Sequence, residues 1–195
     1  MKKILVLLLC LFSLGPLMAQ QEKTSVALLL IDIQEFYYPG GMSELVNSRE
    51  AGDHARQLLD KFRAEGLPVI HVRHQVSEGG AIHNDVRPFD GEKIVTKSEV
   101  NCFLYTDLLD YLMSLEVETL VIAGMQTHMC VEAAVRAAHD LGYNIIVAED
   151  ACATSDLRYD DVIISARDVH FSTIVSLKQY AAITTTKNLI DNFPF

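Results

Sequence analysis

The 195-residue chain is short of positive charge, with 16 lysines and arginines against 26 aspartates and glutamates and a formal net charge of −10. A basic footprint for nucleic acid is absent, which argues against a phosphate-backbone partner. Four cysteines are too few for a disulfide framework, and no C-x-x-C pair occurs. A thiol-rich zinc site and a thioredoxin-type motif therefore lack support. G-x-G-x-x-G and Walker A segments are missing, so nothing points to nucleotide phosphates, and the G-x-S-x-G elbow of serine hydrolases is missing too. No internal repeat, low-complexity tract or linker divides the chain. What remains is half hydrophobic and 22% charged, the composition of one globular domain with a substantial core.

The first residues read as a targeting segment. Lys2 and Lys3 precede an apolar run over residues 4–12, followed by Gly15, Pro16 and the small Ala19. This is the layout of a secretory signal peptide, and the run is too short to span a bilayer. An uncleaved N-terminal anchor is the next reading; a lipoprotein anchor at Cys10 fits less well, because Leu8 and Leu9 before it are bulky. The expected organisation is a signal peptide over 1–19 and a single domain over 20–195, exported to a periplasm or the medium and free of the membrane after cleavage. Cleavage removes Cys10 and leaves Cys102, Cys130 and Cys152, an odd number that predicts at least one free thiol.

Strand-like and helix-like patterns then alternate. Residues 25–33 are nearly all apolar, the pattern of a strand buried on both faces, with Asp32 near its end. Ala55, Leu58, Leu59 and Phe62 predict a helix over about 44–65, stopped by Gly66 and Pro68. A second strand is predicted over 68–74. Thr106 is expected to cap a helix carrying Leu108, Leu109, Leu112 and Leu115. A third strand is predicted over 119–125, a helix over 128–141, a fourth strand over 144–149, a helical region after Leu157, and a last strand over 181–186. This order predicts an α/β fold with a mostly parallel sheet.

Ligands of parallel sheets bind beyond the carboxyl ends of the strands. Asp32 ends the first strand, His74 the second, and residues 124–130 link the third to its helix, while Lys97 falls in the long crossover between strands two and three. Cys130 is the candidate nucleophile. With Thr127 as helix cap it lies in the first turn, where free N–H groups favour a thiolate and could hold an oxyanion. Singly, Cys130 reads as a buried small residue and Lys97 as a solvated lysine. An acid at the end of an apolar strand is costly without a partner, and it shifts the balance.

These residues resemble a known family. Asp32 in LLLIDIQ, Lys97 in KSEVNCF, Cys130 in GMQTHMCVEAAVRAAHDLGY, and the following NIIVAEDACAT are similar to the isochorismatase-like cysteine hydrolases. The resemblance implies a three-layer α/β/α domain and a catalytic triad of Asp32, Lys97 and Cys130. It also implies a cis peptide at Met125–Gln126, an oxyanion hole from the N–H groups of Gln126 and Cys130, and a homo-oligomer. Members with a cysteine here mostly hydrolyse amide-type C–N bonds of small molecules, whereas those that cleave the vinyl ether of isochorismate typically lack it. The expectation is thus an amidohydrolase that needs no cofactor, with ether hydrolysis or a silent binding domain as alternatives.

Gln34, His74 and Phe103 are the expected substrate-binding residues, with Phe103 as an aromatic wall. The D-x-H that places the metal in the family's nicotinamidases is missing, and His71-Val72-Arg73-His74 stands there instead. His74 and His83 are too few for a metal site, and none is expected. His71 is expected to pack under a helix, His128 to shape the turn, and Cys152 to be a packed small residue. Cys102 is either inert or a partner for a regulatory disulfide.

Overall fold

The apolar run after Ser25 forms β1 (Val26–Ile31), and all six of its residues are buried. Successive side chains point to opposite faces, so β1 feeds two cores at once. Val26, Leu28 and Leu30 pack with Ala55, Leu58, Leu59 and Phe62 of helix α1 (Ser48–Ala64). Ala27, Leu29 and Ile31 pack on the other side, with Leu112 of α2 (Leu108–Ser114), Val135 of α3 (Glu132–Asp140) and Leu177 of α4 (Ala166–Leu177). Helices on both faces of a sheet make the expected three-layer α/β/α architecture. The computed structural model describes residues 25–193, so the predicted signal peptide lies outside the described residues.

The remaining strands are β2 (Val69–His74), β3 (Lys93–Lys97), β4 (Thr119–Met125), β5 (Asn144–Ala153), the paired β6 (Leu157–Tyr159) and β7 (Val162–Ile164), and β8 (Ala182–Thr184). A final helix, α5 (Thr186–Asp191), follows β8. Six strands form a parallel sheet in the order β3-β2-β1-β4-β5-β8. The chain winds outward from β1 through β2 to β3, then crosses back to β4 and winds the other way. The reversal lies between β1 and β4, and their carboxyl ends open the crevice where such sheets bind ligands.

Several boundaries differ from the sequence reading. Lys97 is not in a loop but ends β3, whose inward side chains are Val95 and Lys97. Residues 157–164 are not helical: β6 and β7 pair as an antiparallel hairpin across Asp160, which takes the left-handed conformation at φ 51°. Helix α4 starts only after Ser165, whose Oγ accepts from the Asp168 N–H at 3.1 Å. β5 runs on to Ala153, and Thr186 belongs to α5 rather than to the last strand. Asp107, not Thr106, occupies the N-cap of α2, although the Thr106 hydroxyl still accepts from the Leu108 N–H at 3.4 Å.

The edge strand β3 is tied to α1 by one partly buried carboxylate. Glu92 accepts from Arg63 Nε at 2.7 Å, Arg63 Nη2 at 2.8 Å and the Phe89 N–H at 2.8 Å, and lies 2.9 Å from His71 Nε2. Burial opposes its charge, but Arg63, the Phe89 N–H and His71 outweigh it and hold Glu92 down to about 2. Burial also lowers the pKa of His71, which packs under α1 as expected. Both shifts act in the same direction. The unfolded chain takes up protons more readily, so stability falls as pH drops below 6.5 for His71, and from 4.5 toward 2 for Glu92. In Glu92→Gln the acid dependence between pH 5 and 3 is expected to shrink in denaturant titrations. An unchanged pH profile would remove this assignment.

The β6–β7 hairpin exposes Tyr159 (77%), Val162 and Ile163 (55% each) and Ile164 (44%), and the following α4 exposes Phe171 (46%) and Val175 (61%). Among the described residues no helix is long and apolar enough to cross a membrane.

Candidate active site

Asp32 follows β1 and turns the chain with φ 49°, its N–H donating to Val72 O at 2.9 Å. Its side chain is fully buried at the reversal point of the sheet. Lys97 and His74 end adjacent strands in direct register, so both side chains reach the same place. Cys130 sits in the single π-helical turn Thr127–Val131 between β4 and α3. Four separate strand ends, those of β1, β2, β3 and β4, therefore converge.

The lysine ammonium holds the group together. Lys97 Nζ lies 2.7 Å from Asp32 Oδ2, 3.3 Å from Cys130 Sγ and 3.0 Å from His74 Nδ1. A lysine has three N–H donors, and these three neighbours use them all. His74 must then accept through Nδ1 and carry its proton on Nε2. Burial and the neighbouring ammonium lower its pKa, which keeps the ring neutral.

The electrostatics follow from burial. Desolvation raises the pKa of Asp32 even against the attraction of Lys97. Desolvation works against the charge on Lys97, but Asp32 and Cys130 outweigh it and the pKa of the amine is raised. Burial and the Asp32 carboxylate push the Cys130 thiol up to about 12 although Lys97 opposes them. This corrects the expectation of a helix-stabilised thiolate. Thr127 is not the cap: its hydroxyl donates to Ala153 O at 3.2 Å and lies 3.0 Å from His170 Nδ1. The resting site is a carboxylate, an ammonium and a neutral thiol.

The other expected residues divide. His74 joins Asp32, Lys97 and Cys130 directly. Gln34 is fully buried, and its amide is taken up by backbone: Nε2 donates to His74 O at 3.0 Å and Gly80 O at 2.8 Å, while Oε1 accepts from the His74 N–H at 2.7 Å. Gln34 thus positions β2 rather than presenting a free amide to a ligand. The Phe103 ring stacks on Tyr143 beyond α3, with centroids 6.4 Å apart, and joins the core on that side of the sheet. His128 Nδ1 lies 2.6 Å from Thr154 Oγ1 and braces the turn, as expected. The cis peptide at Met125–Gln126 is present.

Asp32, His74 and Cys130 are the one group among the described residues whose ligand atoms lie close enough together to hold a metal ion. The Lys97 ammonium is already bonded to all three, so an ion would have to displace it. His83 stands apart, stacked on Tyr38 at 3.4 Å and 3.1 Å from Asp85. Cys102, Cys130 and Cys152 are all free and buried, and burial pushes Cys102 up to about 12. Cys152 pairs opposite Gly124 in the sheet as a packed residue.

Tyr37 escaped the sequence reading. It lies in the short turn after β1, and its Oη accepts from Gln126 Nε2 at 3.4 Å, at the start of the turn that carries Cys130. Its signal was the aromatic run Phe36-Tyr37-Tyr38 placed just beyond the acid that ends β1.

The sequence profile of the Isochorismatase domain matches residues 26–187. The chain belongs to the isochorismatase family. The isochorismatase family protein YddQ of Bacillus subtilis is 41% identical over 175 residues, covering 84% of this chain and 97% of its own length. An isochorismatase-family crystal structure from Oleispira antarctica is 40% identical with a TM-score of 0.84, covering 87% of this chain and 98% of that one. Ureidoacrylate amidohydrolase RutB of Rhizobium rhizogenes is 24% identical over 174 residues, covering 67% of this chain and 71% of that protein. The family is one of hydrolases, some of which act on amide bonds.

Proposed function

We propose that this protein is a cysteine hydrolase that cleaves an amide-type C–N bond of a small molecule through Asp32, Lys97 and Cys130. The observation that carries the reading is the single buried ammonium bonded to both the acid and the thiol. Moving the thiol proton to Asp32 turns a carboxylate and a thiol into a carboxylic acid and a thiolate. The net charge of the triad stays at zero, so the transfer avoids the cost of creating an unpaired charge in a buried site. Burial raises the pKa of Asp32, which makes it a stronger base than an ordinary carboxylate.

The thiolate of Cys130 attacks the substrate carbonyl carbon, and the N–H groups of Gln126 and Cys130 receive the oxyanion. The tetrahedral adduct collapses as Asp32 returns its proton to the departing amine, leaving a thioester. Asp32, again a carboxylate, takes a proton from water, whose oxygen attacks the thioester. The acid is released, and the proton held by Asp32 returns to the sulfur. Lys97 remains a cation throughout. His74, with Nε2–H still available, lies one atom shell from the reacting centre and can donate to bound substrate.

A thiol in this position favours amide cleavage over vinyl ether hydrolysis, because a thiolate has a use only where an acyl carbon accepts it. Purified residues 20–195 are expected to release ammonia or an amine from some member of a panel of small primary amides and carbamoyl compounds, with and without chelator. Turnover of isochorismate alone, or a loss under chelation restored by zinc, iron or manganese, would overturn the reading.

The exposed hairpin supports a homo-oligomer. A two-stranded ribbon is marginally stable alone, and contiguous apolar patches on soluble chains usually mark an interface. A second copy of the chain fits the patch, since a two-fold axis can set one copy's Val162-Ile163-Ile164 edge against the other's. Light scattering should give a multiple of the monomer mass, and Ile163→Asp should shift it toward the monomer. A monomeric wild type would sink the proposal.

A further inference from the structure

The Tyr37 phenol ends a directed chain of hydrogen bonds that starts away from the triad. Ser155 Oγ donates to Gln126 Oε1 at 3.4 Å, and Gln126 Nε2 donates to Tyr37 Oη at 3.4 Å. Tyr37 is thereby the acceptor of the last bond, and its own O–H is left over. Among the described residues no acceptor takes that proton, although Tyr37 is only 7% exposed.

The phenol is held firmly in place. The Tyr37 N–H donates to Gln34 O at 3.1 Å, its carbonyl accepts from the Leu45 N–H at 3.0 Å, and its ring packs against Phe36 with centroids 4.1 Å apart. Gln126, which orients it, also opens the turn that carries Cys130, and its carbonyl accepts from the Val131 N–H at 3.2 Å. Burial, and after it the nearby Cys130 and Asp32, push the phenol up to about 12 against the opposing Gln126 bond. It stays protonated at any working pH, and serves as a donor rather than a base.

We propose that Tyr37 is a specificity residue, whose O–H donates to an acceptor atom on the carbon next to the scissile carbonyl of the substrate. The preferred class is then small primary amides bearing an oxygen at that position, over amides with a plain alkyl group there. A site built to hydrogen-bond a substrate group discriminates against the analogue that lacks it. The proposal rests on the reading of Cys130 as nucleophile.

The test uses two primary amides of the same shape, methoxyacetamide and butyramide, which differ by one ether oxygen. Each is titrated as a protectant of Cys130 against iodoacetamide, with the modified peptide mapped and each rate taken relative to the unprotected rate of the same variant. In the wild type, methoxyacetamide is expected to protect at about tenfold lower concentration than butyramide. Tyr37→Phe keeps the ring packing and should bring the two within about twofold of each other. A merely structural role for Tyr37 would shift both constants together and leave their ratio unchanged. Equal protection in the wild type, protection by neither, or a preference that survives in Tyr37→Phe overturns the proposal. The nucleophile reading fails by a separate outcome, alkylation that maps to Cys102 or Cys152 and spares Cys130.

Discussion

Cys130→Ala is expected to abolish turnover of a small amide, lowering kcat by about 10⁴-fold or more, while the fold survives. Removing the thiol leaves the Asp32–Lys97 pair at 2.7 Å, so both buried charges keep their partner. Asp32→Asn should cost about 10²–10⁴-fold, because the same carboxylate serves both proton transfers. That variant also strands a buried ammonium, and removing one partner of a buried ion pair is strongly destabilising. Loss of activity in Asp32→Asn therefore mixes chemistry with stability, whereas Cys130→Ala separates them. Mass spectrometry of enzyme quenched during turnover should find an acyl group on Cys130. The rate should also fall on the acid side as Asp32 takes a proton, at a pH above the ordinary carboxylate value of 3.8, since burial raises that pKa. Full activity in Cys130→Ala would falsify the thioester mechanism and favour ether hydrolysis.

What the sequence showed of this site depended on how burial was encoded. β1 and β4 stand out as apolar runs because both of their faces are covered by helices. Asp32 and Cys130 could be placed from them. β3 does not stand out because Lys93-Ile94-Val95-Thr96-Lys97 is short, lies at the sheet edge and begins and ends on lysine. Its inward lysine looks like a surface lysine until its partner is known. Gln34 reads in the sequence as a ligand contact, yet its amide is taken up by His74 and Gly80, which lie 40 and 46 residues away in the chain. No local pattern reports such distant backbone. The hairpin after Leu157 was legible in principle, since Ser165 three residues before Asp168 marks a helix start and separates α4 from what precedes it.

Gly124→Ala is expected to be the most damaging single methyl in the domain. Gly124 pairs with Ile31 in the sheet, at the point where β4 passes the end of β1. A Cβ at Gly124 would stand 2.0 Å from Ile31 O and 2.7 Å from Ile31 N. Ile31 cannot retreat, because it is also registered against Val72 on its other side and the next residue is Asp32. The backbone adds to the cost, since φ is +140°, a region that L side chains rarely adopt. Gly142 provides the control: its φ is +92°, but a Cβ there meets nothing within 4 Å. Gly142→Ala should therefore show backbone strain alone, about 1–3 kcal/mol. Gly124→Ala adds the clash, and its loss should exceed that of Gly142→Ala by about 2 kcal/mol or more in urea titrations. Whatever folds of Gly124→Ala should also turn over poorly, because Ile31 precedes the acid and Gly124 lies two residues before Gln126. Equal losses for the two variants would show that β1 and β4 can separate without cost, and that Asp32 and the turn that carries Cys130 are held by something other than this contact.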